Sequence, residues 1–198
     1  YSIFISLRTL GEALCVPLLA LALAAADRAI PAADDSFPAR RWLVVAGLAA
    51  GAAFWFRFQT IIFAGGLGAA ILLVVPGTWT QRLRSLAWFT VGGLFPIVAQ
   101  GFLDLATWGG FLRSFIQYIH FNVIRDGAAL NSGRSPWWFY GPFLQRALTP
   151  WFWVPMLIGA VGAIRDRRRL LVVLPLLVFV LLHVFTAHKE ERFLFPLI

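Results

Sequence analysis

The sequence predicts an all-α protein, a polytopic bundle of membrane helices, from two observations. Of its 198 residues, 60% are hydrophobic and only 13% are charged, whereas a soluble domain has roughly 45 to 50% and about 25%. Uncharged runs of 14 to 18 residues recur along the chain, close to the roughly 20 residues that a helix needs to cross a bilayer. A soluble globule needs a charged exterior, so the composition excludes that class.

We expect the 198 residues to form one transmembrane domain with a long non-cytoplasmic loop over residues 104–146. The uncharged stretch around Arg57 would be about 50 Å long as a single helix, too long for a hydrocarbon core of about 30 Å. Two short helices joined at Arg57 fit better. The six predicted spans are residues 3–26, 42–56, 61–75, 86–103, 147–164 and 170–187.

Within the long loop, the segment Phe111–Ile124 predicts an interfacial helix, because its apolar and polar side chains separate onto two faces. Phe111, Leu112, Phe115, Ile116, Ile119 and Val123 share the apolar face, and Arg113, Gln117 and His120 share the polar one.

The short loops indicate the orientation. Residues 27–41, 81–85 and 165–169 together hold nine arginines in 25 residues, and the positive-inside rule assigns such loops to the cytoplasm. The opposite, non-cytoplasmic side then receives Arg57, Asp104 and the charged segment His188–Arg192. The net charge of +8 is explained by topology and anionic headgroups, so we expect membrane lipids and not nucleic acid as partners.

The segment His188–Arg192 places five ionisable residues directly after an 18-residue apolar run and before another apolar stretch. Charges cost about 2.5 to 3.5 kcal/mol each when they enter a bilayer core. The pattern therefore indicates a water-filled pocket, and its alternative is a solvated loop whose formal charges cancel.

The stretch HKEERFLFP, from His188 to Pro196, also resembles the motif that marks the family 22 glycosyltransferases. These are membrane mannosyltransferases of the dolichol-linked oligosaccharide and glycosylphosphatidylinositol-anchor pathways. We expect the chain to be a fragment of such an enzyme that lacks its N-terminal part.

Further segments resemble the same family in the same order. LRTLGEAL, from Leu7 to Leu14, is similar to its arginine-threonine segment, although Leu10 and Gly11 replace the usual Ser-Asn pair. Arg57 resembles its arginine between two hydrophobic segments, with Gln59 where proline is more usual. The other matching segments are Asp104 with Thr107–Gly109, FNV at Phe121–Val123, and GRSPWWFYGPFL at Gly133–Leu144.

The resemblance implies a helical bundle of the GT-C type. Such an enzyme transfers mannose, with inversion, from a polyprenyl phosphate carrier to a hydroxyl group of a lipid-linked or membrane-bound glycan acceptor. Cations stabilise the charge that develops on a leaving phosphate, and the candidates are Lys189, Arg192 and His188. Glu190 would orient these cations or bind sugar hydroxyls.

Four more residues are candidates with open alternatives. Arg57 is either a substrate ligand or a buried structural partner. Trp137 and Tyr140 either stack on substrate or belong to an interfacial aromatic belt. In this family the general base is assigned to an early non-cytoplasmic loop, which we expect upstream of Tyr1. Asp104 is a weak substitute, with a helix-end carboxylate paired to an arginine as its alternative.

The sequence has no Asp-x-Asp, His-Glu-x-x-His or glycine-rich phosphate motif, so we expect neither a metal nor another cofactor. We expect an integral multi-pass protein of the endoplasmic reticulum membrane if eukaryotic, or of the plasma membrane if bacterial. Another enzyme with the same lipid-linked sugar donor is one alternative. The rival from a different class is a transporter, because transporters also use broken helices with polar residues near the membrane midplane.

Overall fold

The computed structural model describes residues 2–30, 38–125, 127, 130, 133–147, 154, 157–159, 161–162, 166–186 and 189. These residues contain helices and turns and no strand, so the predicted all-α class is confirmed for them. The helices are α1 (Ser2–Ala29), α2 (Arg40–Phe56), α3 (Thr60–Val74), α4 (Trp79–Trp108), α5 (Arg113–Ile119), a π-helical turn (His120–Ile124), α6 (Tyr140–Ala147), a 3-10 turn (Arg167–Arg169) and α7 (Leu170–Phe185).

The closest helix crossing joins α2 to α4 through glycine. A Cβ atom added to Gly47 would lie 2.7 Å from the Gly93 nitrogen, and one added to Gly51 would lie 3.1 Å from the Gly93 Cα. A Cβ atom added to Gly92 would lie 3.0 Å from the Val44 Cα. Small residues at this spacing let two backbones touch, which is how membrane helices gain packing energy without a hydrophobic driving force.

Small residues also build the neighbouring contacts. The core between α1 and α2 is made largely of alanines, among them Ala22, Ala26, Ala46 and Ala50. A Cβ atom on Gly66 of α3 would lie only 2.6 Å from Pro175 Cα of α7. Close backbone contacts through small residues therefore join these helices, and larger buried side chains such as Phe54, Phe63 and Leu67 fill the space around them.

The longest helix, α4, has well-formed ends. Thr78 and Gln81 form a capping box at its start, with the Thr78 N–H donating to Gln81 Oε1 at 2.6 Å. Gly109 ends the helix in the left-handed conformation at φ 71°. The helix has 30 residues, about 45 Å, and so exceeds the thickness of a hydrocarbon core.

Two helices of the described chain are long and apolar enough to cross a membrane, Trp79–Trp108 and Arg167–Phe185. Their surfaces carry large exposed apolar side chains, such as Phe95 (71% exposed), Phe102 (61%) and Phe185 (78%). Exposed apolar patches of this kind mark contact with lipid or protein, and they fit a membrane protein. The six-span assignment stays a prediction, and most of residues 147–164 lie outside the described part of the chain.

The described residues of the arginine-rich loops lie together at one end of the helices. Arg168 pairs with Asp27 at 2.6 Å and donates to the Asp27 carbonyl oxygen at 2.7 Å. Arg40 lies over the Trp88 ring, 4.9 Å from its centroid. The break between α2 and α3 and the last turns of α4 and α7 form the opposite end.

Substituting Gly51 with alanine should destabilise the protein by about 1 to 3 kcal/mol, because the added methyl group overpacks the contact with α4. The matched control is Gly65→Ala in α3, where an added Cβ meets no atom within 4 Å. That change should be neutral or stabilising, since alanine is the better helix former. Thermal unfolding in detergent measures both, and equal effects would contradict the packing described here.

Candidate functional site

The candidate site begins at the turn between α2 and α3. Arg57 has an extended backbone (φ −150°, ψ 116°) that ends α2, and its N–H still donates to the Ala53 carbonyl oxygen at 3.1 Å. The Arg57 carbonyl oxygen accepts from both the backbone N–H (3.1 Å) and the Oγ1 (2.7 Å) of Thr60, which starts α3. Two hydrogen bonds from one residue therefore hold the break in place.

The Arg57 side chain is half-buried, and its Nε donates to Gln59 Oε1 at 3.0 Å. Gln59 stands where the resembled family more often has proline, and here its amide oxygen orients the guanidinium group. A planar guanidinium held in this way has a fixed orientation, which suits recognition of a phosphate or carboxylate.

Four aromatic rings join α5 to this turn. Phe115 of α5 packs on Phe54 and Phe58, with ring centroids 5.1 and 5.5 Å apart, and Phe58 also meets Tyr118 at 5.4 Å. The distances and the edge-to-face geometries are those of favourable aromatic pairs. Burial raises the pKa of the Tyr118 hydroxyl, while the positive charge of Arg57 opposes that rise, so Tyr118 lies within electrostatic range of the guanidinium.

Asp104 fixes the start of α5 through Ser114. Its carboxylate is 2% exposed and accepts hydrogen bonds from Gln100 Nε2 (2.9 Å), the Ser114 N–H (2.9 Å) and Ser114 Oγ (2.5 Å). The expected alternative of an arginine partner is therefore wrong within the described residues, where Gln100 and Ser114 take that place. This arrangement favours a positioning role for Asp104, because a buried carboxylate with three donors is poorly placed to take a proton from a substrate.

Within the charged segment His188–Arg192, the structure describes Lys189. It is 5% exposed, and its Nζ donates to the carbonyl oxygens of Thr186 at 2.6 Å and Ser135 at 3.0 Å. Lys189 thus ties the segment before Trp137 to the end of α7. Burial lowers the pKa of Lys189.

The two aromatic candidates differ in exposure. Trp137 is 71% exposed, whereas Tyr140 is 2% exposed and packs edge-on against Phe139 at 5.4 Å. Trp137 is therefore accessible to a ligand and Tyr140 belongs to the packed interior. His188, Glu190 and Arg192 lie outside the described residues.

The structure adds residues that the sequence pattern does not single out. The predicted apolar face of the segment Phe111–Ile124 omits Tyr118, yet Tyr118 is half-buried against Phe58 while Ile116 is 59% exposed. The reason is Leu112, whose backbone is left-handed at φ 50°; α5 begins only after it, at Arg113, and this resets which side faces the protein. The spacing of Tyr118 three residues after Phe115 is the signal that could have found it.

His183 also lies near the turn. It is 3% exposed, its Nδ1 is 2.8 Å from the Phe179 carbonyl oxygen, and its ring stacks on Phe179 with centroids 4.1 Å apart. These contacts satisfy the imidazole within the bundle.

These observations define an all-helical protein of membrane character, with Arg57, Lys189 and several aromatic rings at the end opposite the arginine-rich loops. The profile of the Alg9-like mannosyltransferase family matches residues 1–198. The chain belongs to this family of glycosyltransferases.

Two curated relatives agree with the family. The Dol-P-Man:Man(7)GlcNAc(2)-PP-Dol alpha-1,6-mannosyltransferase of Arabidopsis thaliana is 27% identical over 140 residues, which are 70% of this chain and 27% of the relative. GPI mannosyltransferase 3 of Eremothecium gossypii is 30% identical over 146 residues, 67% of this chain and 23% of the relative. The chain therefore spans about a quarter of the length of each of these relatives. No solved structure matches it significantly.

Removing either partner of the Asp104–Ser114 contact should destabilise the protein by about 1 to 3 kcal/mol, because the remaining buried group loses its hydrogen bonds. The variants are Asp104→Ala and Ser114→Ala, and the control is Thr107→Ala, an exposed residue of the helix that carries Asp104. A double-mutant cycle measured by thermal unfolding should give a coupling energy of at least about 0.5 kcal/mol. Simple additivity would argue against the contact.

Proposed function

We propose that this chain forms part of a membrane mannosyltransferase that moves mannose from a polyprenyl phosphate carrier to a hydroxyl group of a lipid-linked glycan, with inversion at the anomeric carbon. The family match over residues 1–198 carries the proposal. The names of both curated relatives specify mannosyltransferases, and that of the Arabidopsis relative gives Dol-P-Man as the donor and a dolichol-linked glycan as the acceptor.

The proposed reaction is a single displacement. An acceptor hydroxyl oxygen attacks the anomeric carbon of mannose, the bond from that carbon to the phosphate oxygen breaks, and a general base takes the hydroxyl proton. Negative charge grows on the departing lipid phosphate. Preorganised cations in a site of low dielectric constant stabilise such charge strongly.

Lys189 suits this role because its ammonium group has three protons. Two of them are directed at the carbonyl oxygens of Thr186 and Ser135, which fixes the nitrogen in position and leaves donor capacity for a phosphate oxygen. Burial disfavours the charged form of an ammonium group, and a nearby anion such as a phosphate offsets this cost. Arg57 is proposed as a second phosphate ligand, held by Gln59.

The other members of the proposed site follow from the family resemblance. His188 and Arg192 would add donors to the phosphate, and Glu190 would orient those cations or bind sugar hydroxyls. The exposed indole of Trp137 is available for stacking on a sugar or a prenyl chain, and Tyr140 would support it from the packed side.

The general base is proposed to lie in the rest of the enzyme, since the chain covers about a quarter of its relatives. Asp104 is the weaker candidate, because its carboxylate is buried and engaged by Gln100 and Ser114.

We further propose a multi-pass bundle of the GT-C type with its active site on the non-cytoplasmic face. Two apolar helices of spanning length support the membrane assignment, and the arginine-rich loops support the orientation. The membrane would be that of the endoplasmic reticulum in a eukaryote and the plasma membrane in a bacterium.

In the full-length enzyme, Arg192→Ala and Lys189→Ala should each lower kcat by roughly a hundredfold to a thousandfold, because the cations act where charge develops in the transition state. The control is Arg125→Ala, an exposed arginine outside the proposed site. Initial rates with a polyprenyl phosphate mannose donor give kcat and KM, and thermal unfolding reports any lost structure. A near-parental kcat for both variants would show that neither cation acts on the leaving phosphate.

Cysteine labelling tests the orientation. Arg41→Cys should react with an impermeant maleimide that is added on the cytoplasmic side, and Trp137→Cys should react only with reagent on the non-cytoplasmic side. Both positions are exposed and lie at opposite ends of the helices. The native Cys15 is buried and serves as the background control. The reverse pattern would overturn the topology.

A further inference from the structure

A second basic site lies at the arginine-rich end of the helices, away from the candidate active site. A cavity of about 280 Å³ opens between the first turns of α2 and α4, and its lining includes Arg40, Arg84, Gln81 and Trp88. The buried side chain of Leu43 also contributes to the lining. Arg84 and Asp104 are separated by 20 residues of one helix, about 30 Å, so the two sites face opposite surfaces of a bilayer.

The polar groups of this cavity are hydrogen-bond donors. The Arg40 guanidinium stacks over the Trp88 ring at 4.9 Å, and a guanidinium stacked on its face keeps its N–H groups free at its edge. Gln81 Oε1 is occupied by the Thr78 N–H, which leaves the amide NH₂ group as a donor. Among the ion pairs of the described chain, neither Arg40 nor Arg84 pairs with a carboxylate. Donors without a carboxylate favour an anion.

An apolar strip continues from the cavity along α4. Trp88, Val91, Phe95 and Val98 follow Arg84 at intervals of three or four residues, so they share one face of the helix. Val91 is 56% exposed, Phe95 71% and Val98 41%. A basic site that continues into an exposed apolar strip matches an amphiphile with an anionic headgroup. A free phosphate ion would make no contact with the strip.

We propose that this site binds an anionic glycerophospholipid, with its phosphate between Arg40 and Arg84 and an acyl chain along the strip of α4. The bound lipid belongs to the leaflet opposite the candidate active site, and it stabilises the folded state because it binds that state alone. The site does not depend on the proposed transferase activity.

The test uses the full-length protein in detergent, with phosphatidylglycerol or phosphatidylcholine added at matched concentrations. Thermal unfolding gives the rise in Tm, and native mass spectrometry counts retained lipid. Phosphatidylglycerol should raise Tm and stay bound, and phosphatidylcholine should do neither. The double variant Arg40→Gln with Arg84→Gln should bind phosphatidylglycerol about thirtyfold more weakly, since each of the two basic residues near an anionic lipid contributes about 1 kcal/mol.

The matched control is Arg113→Gln with Arg125→Gln, which removes the same charge from exposed residues at the opposite end. It should retain the full effect of phosphatidylglycerol. Equal loss in the control pair would overturn the site as a general charge effect. An equal Tm rise from inorganic phosphate or from glycerol phosphate would overturn the lipid assignment, and equal binding of the two lipids would overturn the anion selectivity.

Discussion

The contact between the backbones of α2 and α4 is the constraint from which the positions of both sites follow. Gly47 and Gly51 lie directly against Gly93, and Gly92 lies against the backbone of Val44, which fixes the register between the two helices. Arg57 follows Gly51 by six residues, and Asp104 follows Gly93 by eleven, so one crossing brings the turn at Arg57 and the end of α4 to the same side. Because glycine has no Cβ, no other residue permits this approach at these positions.

The two ends of the helices, on either side of that crossing, differ in how their charged and polar residues are arranged. At one end, arginines stack on tryptophans and pair with Asp27 across the sequence, as expected of residues that anchor helices at a charged interface. At the other end, the polar groups are drawn inward: Asp104 is satisfied by Ser114, and Lys189 by two carbonyl oxygens. These hydrogen bonds hold the polar groups of the second end in fixed positions, so the entropy cost of ordering them is met in folding.

The sequence predicts the features that depend on local patterns, and misses those that depend on docking. Apolar runs and the charge at Arg57 indicate where α2 ends and α3 begins, since periodicity and length are local properties. The partner of Asp104 is a serine ten residues later, reached only because Gly109 and Leu112 adopt left-handed backbones. The side of α5 that faces the protein depends on the same turn, so Tyr118 was not expected beside Phe58. For the charged motif the sequence remains the richer source, because its resemblance covers His188, Glu190 and Arg192.

The geometry at Arg57 bears on the choice between an enzyme and a transporter. In transporters, the carbonyl oxygens freed by a broken helix coordinate the coupling ion. Here the Arg57 carbonyl oxygen accepts from both the N–H and the hydroxyl group of Thr60, which occupies both of its lone pairs. The carbonyl oxygen at the break therefore needs no ion to satisfy it, and the guanidinium group of the same residue is oriented by Gln59. At Arg57 the structure therefore does not offer the ion-coordinating carbonyl oxygen that transporters use at a broken helix, in agreement with the glycosyltransferase family to which the chain belongs.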